Sequence, residues 1–205
     1  MTKKEKLILD LLKNKCIKFG TFTLKSGITS PVYIDIRKLV SFPKLMKNCA
    51  AAYWAIVKKL KFDRLAGVPY AALPTASVMS VIYNVPMVYT RKEQQAHGIT
   101  KLVQGEYKKG ERVVIIDDII TTGASKFMVI EPLEKSGVKV KDVVILIDRE
   151  QGGKEKLAAK GYKLHAVFLM TEVLDLLLKK RKITKEKYQE VVDYINKSRA
   201  KLKDK

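Results

Sequence analysis

Apolar positions recur along this chain in two rhythms, and the rhythms divide it into helices and strands. Leu7, Ile8, Leu11 and Leu12 fall at i, i+1, i+4 and i+5, the stripe of a surface helix over 3–15. Phe22 and Leu24 then alternate with Thr21 and Thr23, a period-two strand. Ser26-Gly27 reads as a turn and Pro31 opens a second extended piece, so 19–35 is expected to be a β-hairpin, a hood set before the main unit. A helix is expected over 43–60, with Leu45, Met46, Cys49, Ala50, Tyr53, Ile56 and Val57 on one side. A short strand at 64–68, a helix over 72–83 and a strand at 86–89 follow. The polar stretch 99–110, with Gly98, Gly105 and Gly110 in and beside it, reads as a long functional loop. Val113 to Ile116 is an apolar run that suits a strand buried on both faces.

Beyond it the rhythm continues as a helix from Phe127 to Leu133, a strand at 139–147, a helix at 154–160 and a strand at 162–169. A helix at 171–178 is expected to start at a Thr171 cap. The chain closes on a basic amphipathic helix over 183–199. Its face of Tyr188, Val191, Val192 and Ile195 is narrow and suits docking on the domain better than a membrane surface. The expected architecture is α/β. A single domain spans 1–205: a helix and hood hairpin in 1–40, an α/β core in 41–180 and a C-terminal helix in 181–205.

Composition changes this picture little. At 205 residues, 47% apolar and 8% aromatic, the chain can bury a sizeable core. No apolar run reaches the length of a membrane span. The first residues are basic, but Leu7 to Leu12 is too short for a signal-peptide core and is broken by Asp10. Cys16 and Cys49 have no metal-ligand spacing and read as free thiols of a cytoplasmic protein. The net charge of +20 raises the question of nucleic acid. The lysines are spread over the whole chain without an Arg-rich block, and a positive field serves small anionic substrates equally well.

The candidate chemistry is concentrated behind the apolar run. Asp117 and Asp118 follow Ile116, and after Ile119-Ile120 comes Thr121-Thr122-Gly123-Ala124-Ser125, opening a helix. In an open α/β sheet, ligands collect at the C-terminal ends of strands. A small-residue loop leading into a helix aims backbone N–H groups at an anion, and the helix dipole adds attraction. The carboxylates cannot serve that anion; they suit hydroxyl groups, or a divalent cation, on the same ligand. Amides for a phosphate beside carboxylates for hydroxyls describe a ribose 5-phosphate.

This stretch resembles the phosphoribosyl-pyrophosphate (PRPP) motif of the type I phosphoribosyltransferases. Phe22-Thr23-Leu24-Lys25-Ser26-Gly27, with Ser30-Pro31 and Tyr33, resembles the hood of orotate phosphoribosyltransferases, and Asp148-Arg149-Glu150-Gln151-Gly152-Gly153 resembles their orotate-side turn. The resemblance runs from about Phe19 to about Leu178. It implies a central, mostly parallel sheet flanked by helices, transfer of phosphoribosyl from PRPP to orotate in pyrimidine biosynthesis, Mg²⁺ carried by the substrate with Asp117 or Asp118 reaching it through water, and a homodimer that shares an active-site loop. It also implies roles. Lys25 reaches the ligand, and Tyr33, Ile34, Thr121 and Arg149 hold orotate. A guanidinium matches a carboxylate bidentately, which makes Arg149 a sound choice. Tyr70 lies against the pyrophosphate, with Ala71 where some members carry lysine. Asp117 and Asp118 hold the ribose, and Thr121, Thr122, Gly123, Ala124 and Ser125 cradle the 5′-phosphate. Arg91, Lys92 and His97 belong to the closing loop. The family's loop lysine falls on Gln95 here, and Lys101 is the nearby candidate to replace it. No decarboxylase domain follows, which suggests a stand-alone enzyme. Two other readings keep the central motif: a transferase for another nucleobase, and a PRPP-binding regulator without catalysis.

Overall fold

The apolar run at 113–116 lies at the centre of the sheet. The computed structural model describes residues 1–23, 27–91 and 102–203. Strand β1 (Ile17–Thr23) pairs antiparallel with β2 (Thr29–Ile34) as the expected hairpin, following helix α1 (Lys3–Lys13). A short 3-10 helix, Ile36–Ser41, leads into α2 (Pro43–Val57). The remaining elements are β3 (Arg64–Gly67), α3 (Leu73–Tyr83), β4 (Met87–Thr90), β5 (Val103–Gln104), β6 (Arg112–Ile120), α4 (Ala124–Lys135), β7 (Lys139–Asp148), α5 (Gly153–Ala159), β8 (Lys163–Leu169), α6 (Met170–Lys179) and α7 (Lys185–Lys203).

The six-stranded sheet has the order β5-β4-β3-β6-β7-β8. All its pairings are parallel except β4 with β5. Chain order therefore reverses between β3 and β6, because β4 lies on one side of that seam and β7 and β8 on the other. Such a seam is where open α/β sheets leave a crevice at the strand ends. Val113 to Ile116 and Val143 to Ile147 are all within 1% of full burial, as expected of strands covered on both faces.

Three local differences from the sequence expectation have physical causes. Strand β6 does not stop at Ile116; Asp117 stands opposite Ile145 and Ile120 opposite Asp148 in the ladder with β7. Within the stretch expected to be loop, Val103 and Gln104 pair with Thr90 and Tyr89 at the sheet edge. Helix α6 starts one residue before Thr171. Its first turn is closed by Glu172, which accepts from the Leu169 N–H at 3.0 Å, while the Thr171 N–H donates to Glu150 at 2.7 Å.

Two glycines let helices approach the seam. A Cβ at Gly67, the end of β3, would lie 2.8 Å from Ala76 Cβ. A Cβ at Gly153, the start of α5, would lie 2.5 Å from Ile120 Cγ1 and 2.6 Å from the Thr121 carbonyl oxygen.

Candidate active site

The loops after β3 and β6 flank the seam. The β3 loop carries Tyr70, 66% exposed, after a cis Pro69–Tyr70 bond. The β6 loop is Thr121 to Gly123, and Gly123 adopts φ 85° where α4 begins. No side chain caps α4. The amides of Ala124 and Ser125, at two exposed positions, therefore belong to a helix terminus open to an outside acceptor.

The acid pair stands just below. Asp117 is 3% exposed, and both its carboxylate oxygens are engaged: Oδ1 accepts from the Asp118 N–H at 2.8 Å, and Oδ2 lies 2.6 Å from Lys126 Nζ. The Asp117 carbonyl accepts from the buried Tyr53 hydroxyl of α2 at 2.7 Å. Asp118 is half-buried, and its Oδ1 accepts from the Ile119 N–H at 2.7 Å. Burial, reinforced by the Asp117 charge, pushes the Asp118 carboxyl up to about 7. Lys126 acts in the opposite direction.

Beside the pair, β7 ends in Asp148 and Arg149. The Arg149 N–H donates to the Ile120 carbonyl at 3.1 Å, so its backbone is fastened to the strand that carries the acids. Its side chain is 5% exposed and donates to Ser30 Oγ of β2 at 3.2 Å. Its guanidinium carbon lies 5.8 Å from the Tyr194 ring centroid of α7. Among the described residues no carboxylate pairs with Arg149. Burial lowers its pKa, and only Tyr194 acts against that.

Of the expected orotate residues, Tyr33 is half-buried on β2, with its hydroxyl accepting from Arg37 at 3.1 Å and its ring 5.4 Å from that of Phe22. Ile34 points into the core at 7% exposure. Thr121 and Thr122 are half-buried in the loop. Arg91 is exposed at the end of β4, and its N–H donates to the Leu102 carbonyl at 3.0 Å. Lys25, Lys92, Gln95, His97 and Lys101 lie outside the described residues.

The sequence reading gave no role to Lys126 or Tyr194, and Ser30 entered only as part of the hood motif. Lys126 had a visible signal: with Val129, Ile130 and Leu133 it makes an i, i+3, i+4, i+7 row, all buried, so a lysine holds a core position. Tyr194 adjoins Val191 and Ile195 on the buried side of α7, but its partner Arg149 is 45 positions away, and no local pattern reports that (194 − 149 = 45).

A mostly parallel sheet with an acid pair and an uncapped helix terminus at its seam is the layout of an α/β protein whose strand ends can receive an anionic ligand. Residues 36–169 match the phosphoribosyl transferase domain model, and the chain belongs to that family. It is 43% identical over 182 residues to the bifunctional enzyme PyrF/PyrE of a Nostoc species, covering 89% of this chain and 38% of that protein. It is 35% identical over 188 residues to the orotate phosphoribosyltransferase of Sulfolobus acidocaldarius, covering 92% and 95%. Among solved structures, UMP synthase of Leishmania donovani superposes with a TM-score of 0.87 at 42% identity, covering 95% of this chain and 42% of that one. The orotate phosphoribosyltransferase of Aeropyrum pernix superposes with a TM-score of 0.75 at 33% identity, covering 83% and 97%. The chain thus spans about two-fifths of the longer relatives and nearly the full length of the shorter ones.

Proposed function

We propose that the chain transfers phosphoribosyl from PRPP to orotate, giving orotidine 5′-monophosphate and pyrophosphate. The observation that carries this reading is the buried Arg149. It is a cation without a carboxylate partner among the described residues, and its backbone is fastened at 3.1 Å to the strand that bears the acid pair and phosphate loop. Burying a charge is costly unless it is paired. An anionic base is a partner of the right sign, and a carboxylate is the planar group that a guanidinium holds with two hydrogen bonds. Relatives named for orotate transfer support the same choice.

In this reading the amides of Thr121 to Ser125 bind the 5′-phosphate and the acid pair orients the ribose hydroxyls. Arg149 holds orotate with its ring nitrogen facing C1, together with Tyr33, Ile34 and Thr121. The C1–O bond to pyrophosphate breaks and the N1–C1 bond forms. Orotate can react as the N1 anion, so the site's task is charge stabilisation at a cationic ribose and an anionic leaving group. Tyr70, Arg91, Lys92 and His97 are assigned to the pyrophosphate side, with Lys25 reaching over from the hood. Among the described residues no group of three or more His, Cys, Asp or Glu side chains could cage a metal. Two carboxylates, one already engaged by a lysine, fit a Mg²⁺ that arrives with the substrate and keeps waters. When bound, such an ion neutralises pyrophosphate charge.

A homodimer is part of the proposal. Val81 and Ile82 of α3 are 83% and 44% exposed, and exposed apolar side chains of this kind suit an interface. A concentration-independent monomer with full activity would contradict it. Among the described residues no helix is long and apolar enough to cross a membrane, and a cytoplasmic setting is proposed.

The test is PRPP- and Mg²⁺-dependent loss of orotate absorbance, run on the native chain and on Gln95→Lys. Native turnover is expected, another cation serving where the loop lysine is Gln95. Turnover restricted to Gln95→Lys would mean lost chemistry on a retained site. PRPP binding with silence in both proteins would favour a regulator or another base.

A further inference from the structure

We propose that Lys126 is a positioning residue for phosphoribosyl transfer: it makes Asp117 the internal brace of the acid pair and leaves Asp118 as the carboxylate that meets the ribose. The inference rests on the reading of this site as phosphoribosyl-binding, and it divides between two residues a role so far given to both.

The geometry carries it. Lys126 is 3% exposed, and its ammonium has three acceptors: Asp117 Oδ2 at 2.6 Å, the Ile119 carbonyl at 2.5 Å and Ser125 Oγ at 3.1 Å. An ammonium has three donors, so this set satisfies it. Two of the acceptors lie on β6 and the third on the first turn of α4. The phosphate loop is the segment between them, so the ammonium closes a ring around that loop and fixes its two ends to each other. The same ammonium, with the Asp118 N–H, engages both carboxylate oxygens of Asp117 from within the protein. With Oδ2 held by Lys126 and Oδ1 by the Asp118 N–H, Asp117 is turned into the protein. Asp118 is the half-buried member of the pair.

A packing role alone does not require a lysine here. The remaining buried residues in this row of α4 are Val129, Ile130 and Leu133, and an apolar residue would continue it. A cation in a core row is a feature that tends to serve a site. Its electrostatic service follows from the sequence. Two adjacent carboxylates in a half-buried site repel and resist joint ionisation. A cation bound to the inner one relieves that repulsion and keeps the outer one available as an anion.

Kinetics on three variants test this. Lys126→Met is expected to raise the KM for PRPP about tenfold or more and to move the acidic limb of kcat/KM for PRPP to higher pH, because the cation that favours the Asp118 anion is gone. Lys126→Arg is expected to restore most of both. The double variant Asp117→Asn with Lys126→Met removes both charges and is expected to fold even if Lys126→Met alone does not. Its kcat should stay well above that of Asp118→Asn. A folded Lys126→Met, or a folded double variant, with native KM for PRPP and a native pH profile would overturn the proposal. So would a double variant as inactive as Asp118→Asn. If the native chain does not convert orotate, the function proposed above fails on its own. Calorimetric titration of PRPP into native protein and the double variant then decides the role of Lys126, equal affinities counting against it.

Discussion

Two cations are buried beyond the ends of neighbouring strands, Lys126 in the first turn of α4 and Arg149 just after β7, and they are handled in opposite ways. Lys126, 3% exposed, has a carboxylate at 2.6 Å. Arg149, 5% exposed, has a hydroxyl at 3.2 Å and an aromatic ring, and no carboxylate among the described residues. A buried charge that is internally neutralised belongs to the frame of the molecule. One held only by dipoles is stable enough to persist and gains most from an anion supplied from outside. In the proposed function this contrast separates scaffold from ligand seat.

The comparison can be broken by mutation. The largest effect is expected at the acid pair. Asp118→Asn should lower kcat by about a thousandfold, since it removes charge stabilisation aimed at the transferring sugar. The same change should raise Tm at pH 8. A carboxyl pushed up to about 7 binds its proton more tightly folded than unfolded, so the native state loses stability as pH rises from about 4 to about 7, and a neutral amide avoids that loss. Thermal melts at pH 5 and pH 8 check the sign.

Arg149→Met comes next. The kcat/KM for orotate should fall about a hundredfold, with the KM for PRPP little changed. Its melting temperature should match or exceed the native one, because an apolar group replaces a buried charge that has no carboxylate partner among the described residues. Lys126→Met should do the reverse in a melt, costing about 3–5 kcal/mol by leaving Asp117 alone. If both variants melt alike, the distinction between the two cations is lost.

A smaller effect belongs to α7. Tyr194→Phe keeps the ring 5.8 Å from the Arg149 guanidinium carbon and removes the phenol hydroxyl. The KM for orotate should rise about fivefold, the value of one neutral hydrogen bond. The smallest test lies outside the site. Glu111, paired with Arg64 through its two oxygens, is held down at about 2. Its contribution is complete above the ordinary carboxylate range and is lost as pH falls from about 4.5 toward 2. Glu111→Gln should flatten that limb of an acid titration and leave the orotate kinetics unchanged.

Much of this was legible in the residues. The apolar runs gave most of the strands, the order of rhythms gave the α/β class, and the acids followed by a small-residue loop pointed to the candidate site. What stayed hidden depends on partners distant in sequence. Aspartate is a poor strand former, yet Asp117 and Asp118 continue β6 because β7 supplies the ladder. Val103-Gln104 is too short to announce itself and exists as a strand only beside Tyr89-Thr90. The α7 face was read as docking, but that Tyr194 beside it lies over Arg149 was not readable from its period. Ile34, at 7% exposure beside a half-buried Tyr33, owes its depth to the packing of β2, which its motif did not report.

Gly153 has a further consequence, for how the protein can change. Its Cα stands where even a methyl group would strike Ile120 and the Thr121 carbonyl. The turn that follows Arg149 and the loop assigned to the phosphate are therefore packed against each other at close range and are expected to move together. Side chains such as Tyr194 and Ser30, which touch Arg149 without entering that contact, are free to vary singly. A laboratory search for altered base preference should find its winners at those positions, and should recover glycine at 153 every time.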